Sequence, residues 1–201
     1  MLLVESERAA RRYLARLAVG RSIDDIELRE LSEHTRPAEL ESYLAAMESG
    51  KAVGVMSDAG SPGIADPGAE LARACHERGI RVIALPGPCS ATLAVMASGL
   101  GGQRFAFSGY LPVEREPRIR RIRELESRAR EQGETQVFME TPYRNLKLFA
   151  ELVETCRADT ALCIACDLTT PDEYVRTWPV SRWRGESPPI RKRPALFVLG
   201  R

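Results

Sequence analysis

Hydrophobic positions in the first fifty residues recur at helical spacing. Between residues 6 and 17 the apolar side chains Ala10, Tyr13, Leu14 and Leu17 recur at helical spacing, which predicts a helix with one buried face. Residues 37–47 repeat the spacing before Gly50, a residue type that often ends helices. Residues 1–4 are predicted to be the end of a strand, and residues 22–35 are predicted to form a short strand or loop.

The next fifty residues alternate short apolar runs with Gly- and Pro-rich loops. Residues 52–56 and 81–85 have the length of buried strands, and each precedes a loop and then a helix signal. The first helix is expected to take Asp66 as N-cap and Pro67 as its first residue, and to end at Gly79; the second is expected over residues 90–98. This order predicts a parallel sheet covered by helices, with ligands at the carboxyl ends of its strands.

The pattern changes after residue 108. A linker is predicted at 109–112, and the later strands follow one another with no helix between them, which favours a mixed or antiparallel sheet. The predicted helices are 116–132 and 143–156, and the predicted strands are 136–140, 161–168, 174–178 and 194–199. The chain is therefore expected to be an α/β protein with an N-terminal parallel domain, 1–108, and a C-terminal mixed-sheet domain, 109–201.

Composition excludes a disordered tail protein, a collagen-like fibre and a small disulfide-stapled protein. Hydrophobic residues make up 44% and charged residues 28% of the 201, as in ordinary globular chains. With 29 basic against 28 acidic residues, the formal net charge is only +1, too small to draw the chain to nucleic acid or membrane. No apolar run approaches the ~20 residues of a membrane span. An odd number of cysteines, five, and no secretory signal predict a reduced, cytoplasmic protein.

Familiar catalytic motifs are absent from the sequence. It contains no phosphate-binding glycine loop, zinc-protease motif or nucleophile elbow, and two histidines make Ser/His or Cys/His chemistry a poor expectation. Cys163 and Cys166 form a lone C-x-x-C, but residues three apart in a strand point to opposite faces. They are expected to be core residues, and no metal site is expected.

The loop at 57–68, SDAGSPGIADPG, is the strongest candidate site. Seven of its twelve residues are Gly, Pro or Asp, which allow close backbone approach to a ligand and stiffen the loop. Residues 86–90, PGPCS, repeat the theme after the next predicted strand. A tight crossover turn would explain part of this pattern; a rigid pocket lined by backbone explains more of it.

That loop closely resembles the S-D-A-G-T-P-x-x-S-D-P-G signature of the ribosomal RNA small subunit methyltransferase I family, within the tetrapyrrole methylase superfamily. The resemblance continues through VIALPGPCSATLAVMASGL (82–100), FAFSGYLP (105–112) and METPYR (139–144), where the family typically has E-S-P-H-R. It implies a tetrapyrrole-methylase-like fold, in which two α/β domains hold S-adenosylmethionine in the cleft between them. It also implies a homodimer that methylates a ribose 2′-hydroxyl of small-subunit ribosomal RNA.

The resemblance also assigns site residues. Glu140 and Arg144 are the catalytic candidates: Glu140 is favoured as a cofactor or structural ligand over a base, and Arg144 suits a substrate phosphate. The cofactor-binding candidates are Asp58, Ala59, Gly60, Pro62, Cys89, Ser90, Met139, Cys166 and Asp167. Two basic segments, the arginines of the predicted helix 116–132 and the loop 191–193, are either RNA contacts or ordinary solvated charges.

The chain departs from this family at its start. Family members usually open with a strand and a Gly/Pro-rich loop before the stretch matching residues 4–7, so a truncated gene model is expected in preference to a reduced variant. The residues after 112 resemble a shorter branch of the family. Two alternatives to an RNA methyltransferase stay open: methylation of a tetrapyrrole or other small molecule, and an inactive or purely binding paralogue.

Overall fold

A computed structural model describes residues 1–17, 20, 22–58 and 60–201. By contacts the chain divides into two compact units, Met1–Pro88 and Cys89–Arg201. Residues 89–108 thus pack with the second unit, whereas the predicted domain boundary falls at 108/109. We retain that boundary as a prediction about folding domains. Among the described residues, no helix is long and apolar enough to cross a membrane.

The first unit is built on a parallel sheet of three short strands, in the order β2-β1-β3. The strands are β1 (Leu2–Val4), β2 (Leu28–Glu30) and β3 (Gly54–Met56). The helices are α1 (Glu7–Arg16), α2 (Pro37–Glu48) and α3 (Ala69–Glu77), with a 3-10 turn at Ile23–Asp25. The predicted parallel α/β arrangement is confirmed for this part of the chain.

Adjacent residues of the central strand β1 serve two separate cores. Leu3 is buried against Leu44 of α2 and Leu71 of α3, whereas Val4 is buried with Leu14 of α1. Successive side chains of a strand point to opposite faces, so this alternation sets α2 and α3 on one face of the sheet and α1 on the other.

Two predictions for the first unit are wrong. Residues 81–85 form no strand: Ile83 and Leu85 are 61% and 83% exposed, so apolar composition alone misled the prediction. The helix expected from Asp66 begins at Ala69, with Gly68 as its N-cap at φ +124°. Asp66 does not cap it because its carboxylate accepts a hydrogen bond from Ser57.

The second unit contains a mixed five-stranded sheet, in the order β4-β5-β8-β6-β7. β4 and β5 are parallel and the other neighbours antiparallel, so the sheet is mixed, one of the two arrangements that the sequence favoured. The strands are β4 (Phe105–Tyr110), β5 (Thr135–Met139), β6 (Ala161–Cys166), β7 (Tyr174–Pro179) and β8 (Ala195–Gly200). The helices are α4 (Ser90–Ser98), α5 (Arg115–Gln132), α6 (Asn145–Thr155) and α7 (Val180–Trp183).

Helices cover both faces of this sheet. Ala94 of α4 packs on one face with Val137 and Val198, and Leu125 of α5 packs on the other with Phe138. α6 and α7 add Leu148, Leu152 and Trp183 to the second face. The predicted linker at 109–112 overlaps the end of β4, which escaped prediction because its Ser-Gly-Tyr half lacks a strand's apolar pattern.

Candidate functional site

The loop that follows β3 is held by a small acidic network. Ser57 donates a hydrogen bond to Asp66, and the backbone N–H of Asp58 donates to Glu5 Oε1 over 2.9 Å. Burial raises the pKa of the Asp66 carboxyl, and the neighbouring charges of Glu5 and Asp58 raise it further. Glu5, at the carboxyl end of β1, was missed as a site residue; its position beside a strand end was the available signal.

The same loop presents its backbone to solvent. Gly60 has φ +100°, in the region that favours glycine, and a Cβ added there would meet no atom within 4 Å. Asp58, Gly60 and Pro62 are all exposed; Ala59 lies outside the described residues. Ser61 Oγ lies 3.5 Å from the carbonyl oxygen of Pro88, so the loop touches the second Gly/Pro-rich segment at that residue.

In the second unit, two strand ends are brought to one edge of the sheet. Met139 of β5 and Ala165 of β6 both pair with Leu196, from opposite sides of β8. Because β5 and β6 each run antiparallel to β8, their carboxyl ends point the same way, about 10 Å apart across the intervening strand. Met139 with Glu140, and Cys166 with Asp167, therefore lie at the same end, as the resemblance implied.

The side chains at these strand ends divide between the two faces. Met139 packs with Cys89, the N-cap of α4, so these two predicted residues share one apolar cluster, beside Ser90 at the start of the helix. Cys163 lies in that cluster and Cys166 in the opposite one, which confirms that this C-x-x-C pair does not converge. Burial raises the pKa of the Cys166 thiol to about 11.

Glu140 and Arg144 form a hydrogen-bonded pair. Glu140 Oε1 accepts from the N–H of Thr141 and from Arg144 Nη2, each at 2.7 Å, and its side chain is almost fully buried. Arg144 keeps about a third of its side chain exposed. Two buried atoms here, Arg144 Nε and Asn145 Oδ1, have no hydrogen-bond partner among the described residues.

Asp167 is engaged by an arginine that the sequence assigned elsewhere. Arg193 Nε donates to Asp167 Oδ2 over 2.6 Å, and its remaining nitrogens donate to the carbonyls of Pro189 and Asp172. Arg193 was grouped with the phosphate-binding candidates of residues 191–193. It instead holds the loop after β6, where Asp167 has φ +48°.

The arginines of α5 are largely committed to other contacts. Arg118 is buried against Glu151, and Arg121, Arg128 and Arg130 pair with acidic side chains at 2.6–3.0 Å. Such pairing favours the structural alternative for this helix over phosphate binding. Among the described residues, no group of three or more His, Cys, Asp or Glu side chains is placed to hold a metal ion.

Comparison with known proteins decides the family. The family model for Tetrapyrrole (Corrin/Porphyrin) Methylases matches residues 4–183. The chain belongs to this family. That membership accounts for the Gly/Pro-rich loop after β3, which is the most distinctive segment of its sequence.

Within the tetrapyrrole methylase family, curated relatives carry the name that the loop suggested. The Ribosomal RNA small subunit methyltransferase I of Escherichia coli O157:H7 is 33% identical over 172 residues, which are 84% of this chain and 59% of the relative. The protein of the same name from Synechocystis is 34% identical over 76% of this chain and 51% of its own length. The resemblance stated from the sequence is confirmed, although the chain spans only a little over half the length of these relatives.

Solved structures confirm the tetrapyrrole-methylase-like α/β fold. The methyltransferase CobJ aligns over 98% of this chain and 82% of its own, with a TM-score of 0.61 at 20% identity. A cobalamin biosynthetic enzyme, cobalt precorrin-4 methyltransferase CbiF, aligns over 99% and 82%, with a TM-score of 0.59 at 18% identity. Identities this low speak to the fold alone.

Proposed function

We propose that this tetrapyrrole methylase family member is an S-adenosylmethionine-dependent methyltransferase that modifies a ribose 2′-hydroxyl of small-subunit ribosomal RNA. The observation that carries the proposal is the loop after β3, whose sequence follows the ribosomal RNA methyltransferase signature and whose backbone at Gly60 is open to a ligand. The names of the curated relatives support the choice of RNA over a tetrapyrrole.

The described residues suit such a cofactor. Gly60 offers backbone that a ligand can approach closely, and Asp58 offers an exposed carboxylate, an acceptor for amino and hydroxyl groups. Cys89 and Met139 offer an apolar contact beside a helix start. When bound, the cofactor supplies a methyl group on a positively charged sulfur. Transfer of this methyl group requires its alignment with the acceptor oxygen and the exclusion of water.

Glu140 is better placed to position Arg144 than to accept a proton. One of its oxygens already accepts two hydrogen bonds, and both come from the turn that leads into α6. Arg144, partly exposed and held at one nitrogen, retains N–H groups for a phosphate of the substrate. We therefore assign Arg144 to substrate binding and Glu140 to holding its guanidinium.

The proposal extends to the oligomeric state and the cellular location of the protein. We infer a homodimer, which sedimentation of the purified chain tests, and a cytoplasmic protein, because its RNA substrate belongs to the ribosome. Whether further chain is needed for activity is tested by assaying residues 1–201 beside a version extended upstream in the gene.

Two measurements test the proposed function. Calorimetric titration with S-adenosylhomocysteine is expected to show micromolar binding, lost in Gly60→Ala, whose added Cβ projects into the open side of the loop. Gly50→Ala is the matched control, because Gly50 also has a positive φ, +91°, with nothing within 4 Å, but lies at the end of α2. Transfer of a tritiated methyl group to small ribosomal subunits from a strain lacking this gene then tests the substrate. Absence of cofactor binding, or of methyl transfer by a chain that binds the cofactor, contradicts the proposal at separate steps.

A further inference from the structure

An exposed aromatic ring stands beside the Glu140–Arg144 pair. Tyr143, in the turn between β5 and α6, is 81% exposed, which is unusual for a large aromatic side chain. The ammonium group of Lys192 lies over its ring, 5.6 Å from the centroid, within the range of a cation–π interaction. The ring is thus covered by a cation on one side and otherwise open to solvent.

This arrangement is preformed by contacts between two loops. The N–H of Lys192 donates to the carbonyl of Pro142 over 3.1 Å, and Asn145 Nδ2 donates to the carbonyls of Ile190 and Arg193 over 3.3 and 2.6 Å. These bonds fasten the loop 190–193 to the turn 142–145 on both sides of Tyr143. Lys192 has φ +58°, a conformation that non-glycine residues adopt only when their surroundings hold them there.

The charges around the ring are positive. Arg191 and Lys192 are exposed, and neither forms an ion pair with any residue that the structure describes. Arg144, one residue along, is the partly exposed cation already assigned to a phosphate. Glu140 is buried and paired with it, and Arg193 is neutralised by Asp167, so the exposed side of this surface carries cations around one aromatic ring.

We propose that Tyr143 is a stacking platform for an unpaired base of the RNA substrate, with Lys192 and Arg191 contacting its backbone phosphates. A flat ring with neighbouring cations is the combination that binds single-stranded nucleic acid, because bases stack on the ring and phosphates meet the charges. The inference rests on the proposed function and adds to it how the substrate is held: by a nucleotide splayed out of its helix.

The test measures RNA affinity and cofactor affinity separately in the same proteins. Fluorescence anisotropy follows a labelled single-stranded RNA of twelve nucleotides, and calorimetry follows S-adenosylhomocysteine. Tyr143→Ala is expected to weaken RNA binding roughly 5- to 100-fold, whereas Tyr143→Phe, which keeps the ring, stays within about twofold of wild type. Tyr13→Ala is the matched control, an exposed tyrosine in α1 that is 53% accessible.

Lys192→Ala supplies an independent readout. Loss of one phosphate contact is expected to lower the slope of log affinity against log salt by about 0.7 for a single strand. Cofactor affinity is expected to stay within twofold of wild type in every variant, because Tyr143 and Lys192 are outside the proposed cofactor set.

The following outcomes would contradict the inference. Unchanged RNA affinity in Tyr143→Ala, or equal losses of RNA affinity in the Ala and Phe variants, rules out stacking. The proposed function is then still tested by methyl transfer to small subunits. Failure of the wild-type protein to bind RNA, or Tyr143-dependent binding of a porphyrin carboxylate in its place, removes the platform; the methyl-transfer assay then decides separately whether the proposed function fails too.

Discussion

Arg118 of α5 and Glu151 of α6 form a buried ion pair with two parallel contacts. Arg118 Nε lies 2.5 Å from Glu151 Oε2, and Nη2 lies 2.8 Å from Oε1. The side chains are 1% and 6% exposed, and Arg118 Nη1 also donates to the carbonyls of Pro112 and Val113. One guanidinium thus joins two helices to the segment that follows β4.

Arg118→Ala is expected to destabilise the protein by about 3–5 kcal/mol, because it leaves a buried carboxylate without its partner. Urea unfolding at pH 7 measures the loss. Arg123→Ala, an exposed arginine on the same helix, is the matched control and is expected to stay within about 0.5 kcal/mol. A loss below about 1 kcal/mol in Arg118→Ala would show that water reaches Glu151, contrary to its burial.

Arg118 also marks what sequence could not predict. Charged residues lie on almost every side of α5, so the sequence predicted a helix but not which of its arginines is buried. The burial of Arg118 depends on Glu151 of α6, some thirty residues later. The elements with strong local signals, such as α4, β5 and β6, were predicted to within two residues. The strand predicted at residues 81–85 is wrong because an apolar run indicates only a preference for burial. It does not identify the neighbouring strand or helix that would bury it.

In the candidate site, too, features with local sequence signals were predicted and contacts between distant residues were not. The loop after β3 was found from its own residues, since Gly and Pro there carry local conformational signals. The contacts of Glu5 with Asp58 and of Arg193 with Asp167 were not predicted, because the two residues of each pair lie far apart along the chain. The convergence of Met139 and Ala165 on Leu196 likewise requires the register of β8, which no local pattern provides.

Asp66 predicts a pH dependence of stability. Its pKa is raised by burial, so the folded state holds the proton more tightly than the unfolded state. The contribution is therefore fully stabilising below the unfolded pKa, about 3.9, and is lost as pH rises through the folded pKa.

Asp66→Asn removes that titration and keeps an acceptor for Ser57. We expect the free energy of unfolding of the variant, relative to wild type, to increase as the pH rises from 4 to 7, as measured by urea unfolding at pH 4, 5.5 and 7. Asp25→Asn, at an exposed aspartate, controls for the change of net charge. A constant difference between variant and wild type across this range would show that Asp66 titrates alike in both states.

The cysteines are expected to differ sharply in reactivity. Cys156 and Cys166 are buried, and burial raises the pKa of their thiols to about 12 and 11, so few thiolates form at neutral pH. Cys89 is only partly buried. Alkylation of the native protein, followed by peptide mapping, is expected to modify Cys89 at least tenfold faster than the other two.

Ligand protection extends this measurement to the proposed cofactor site. Saturating S-adenosylhomocysteine is expected to slow modification of Cys89 severalfold while leaving the slow rates of Cys156 and Cys166 unchanged. If the compound binds and Cys89 reacts at the same rate, Cys89 does not belong to the cofactor site.

The segment 81–87 lets sequence and structure be tested against each other. The sequence predicts a buried strand at 81–85, whereas the structure leaves Val82, Ile83 and Leu85 42%, 61% and 83% exposed. The backbone of 81–87 also makes no hydrogen bond to any residue that the structure describes. Exposed apolar side chains on a segment without such backbone hydrogen bonds favour self-association, since both the backbone and the side chains are available to another chain.

Ile83→Lys with Leu85→Lys is therefore expected to reduce binding of a hydrophobic dye and slow aggregation, and to change the free energy of unfolding by no more than about 0.5 kcal/mol. Leu44→Lys, at a fully buried position of α2, is the contrasting variant and is expected to prevent stable folding. A loss above about 2 kcal/mol in the double lysine variant would mean that residues 81–85 are buried in solution. The strand predicted from the sequence would then be present, and the exposed segment would have found a partner strand.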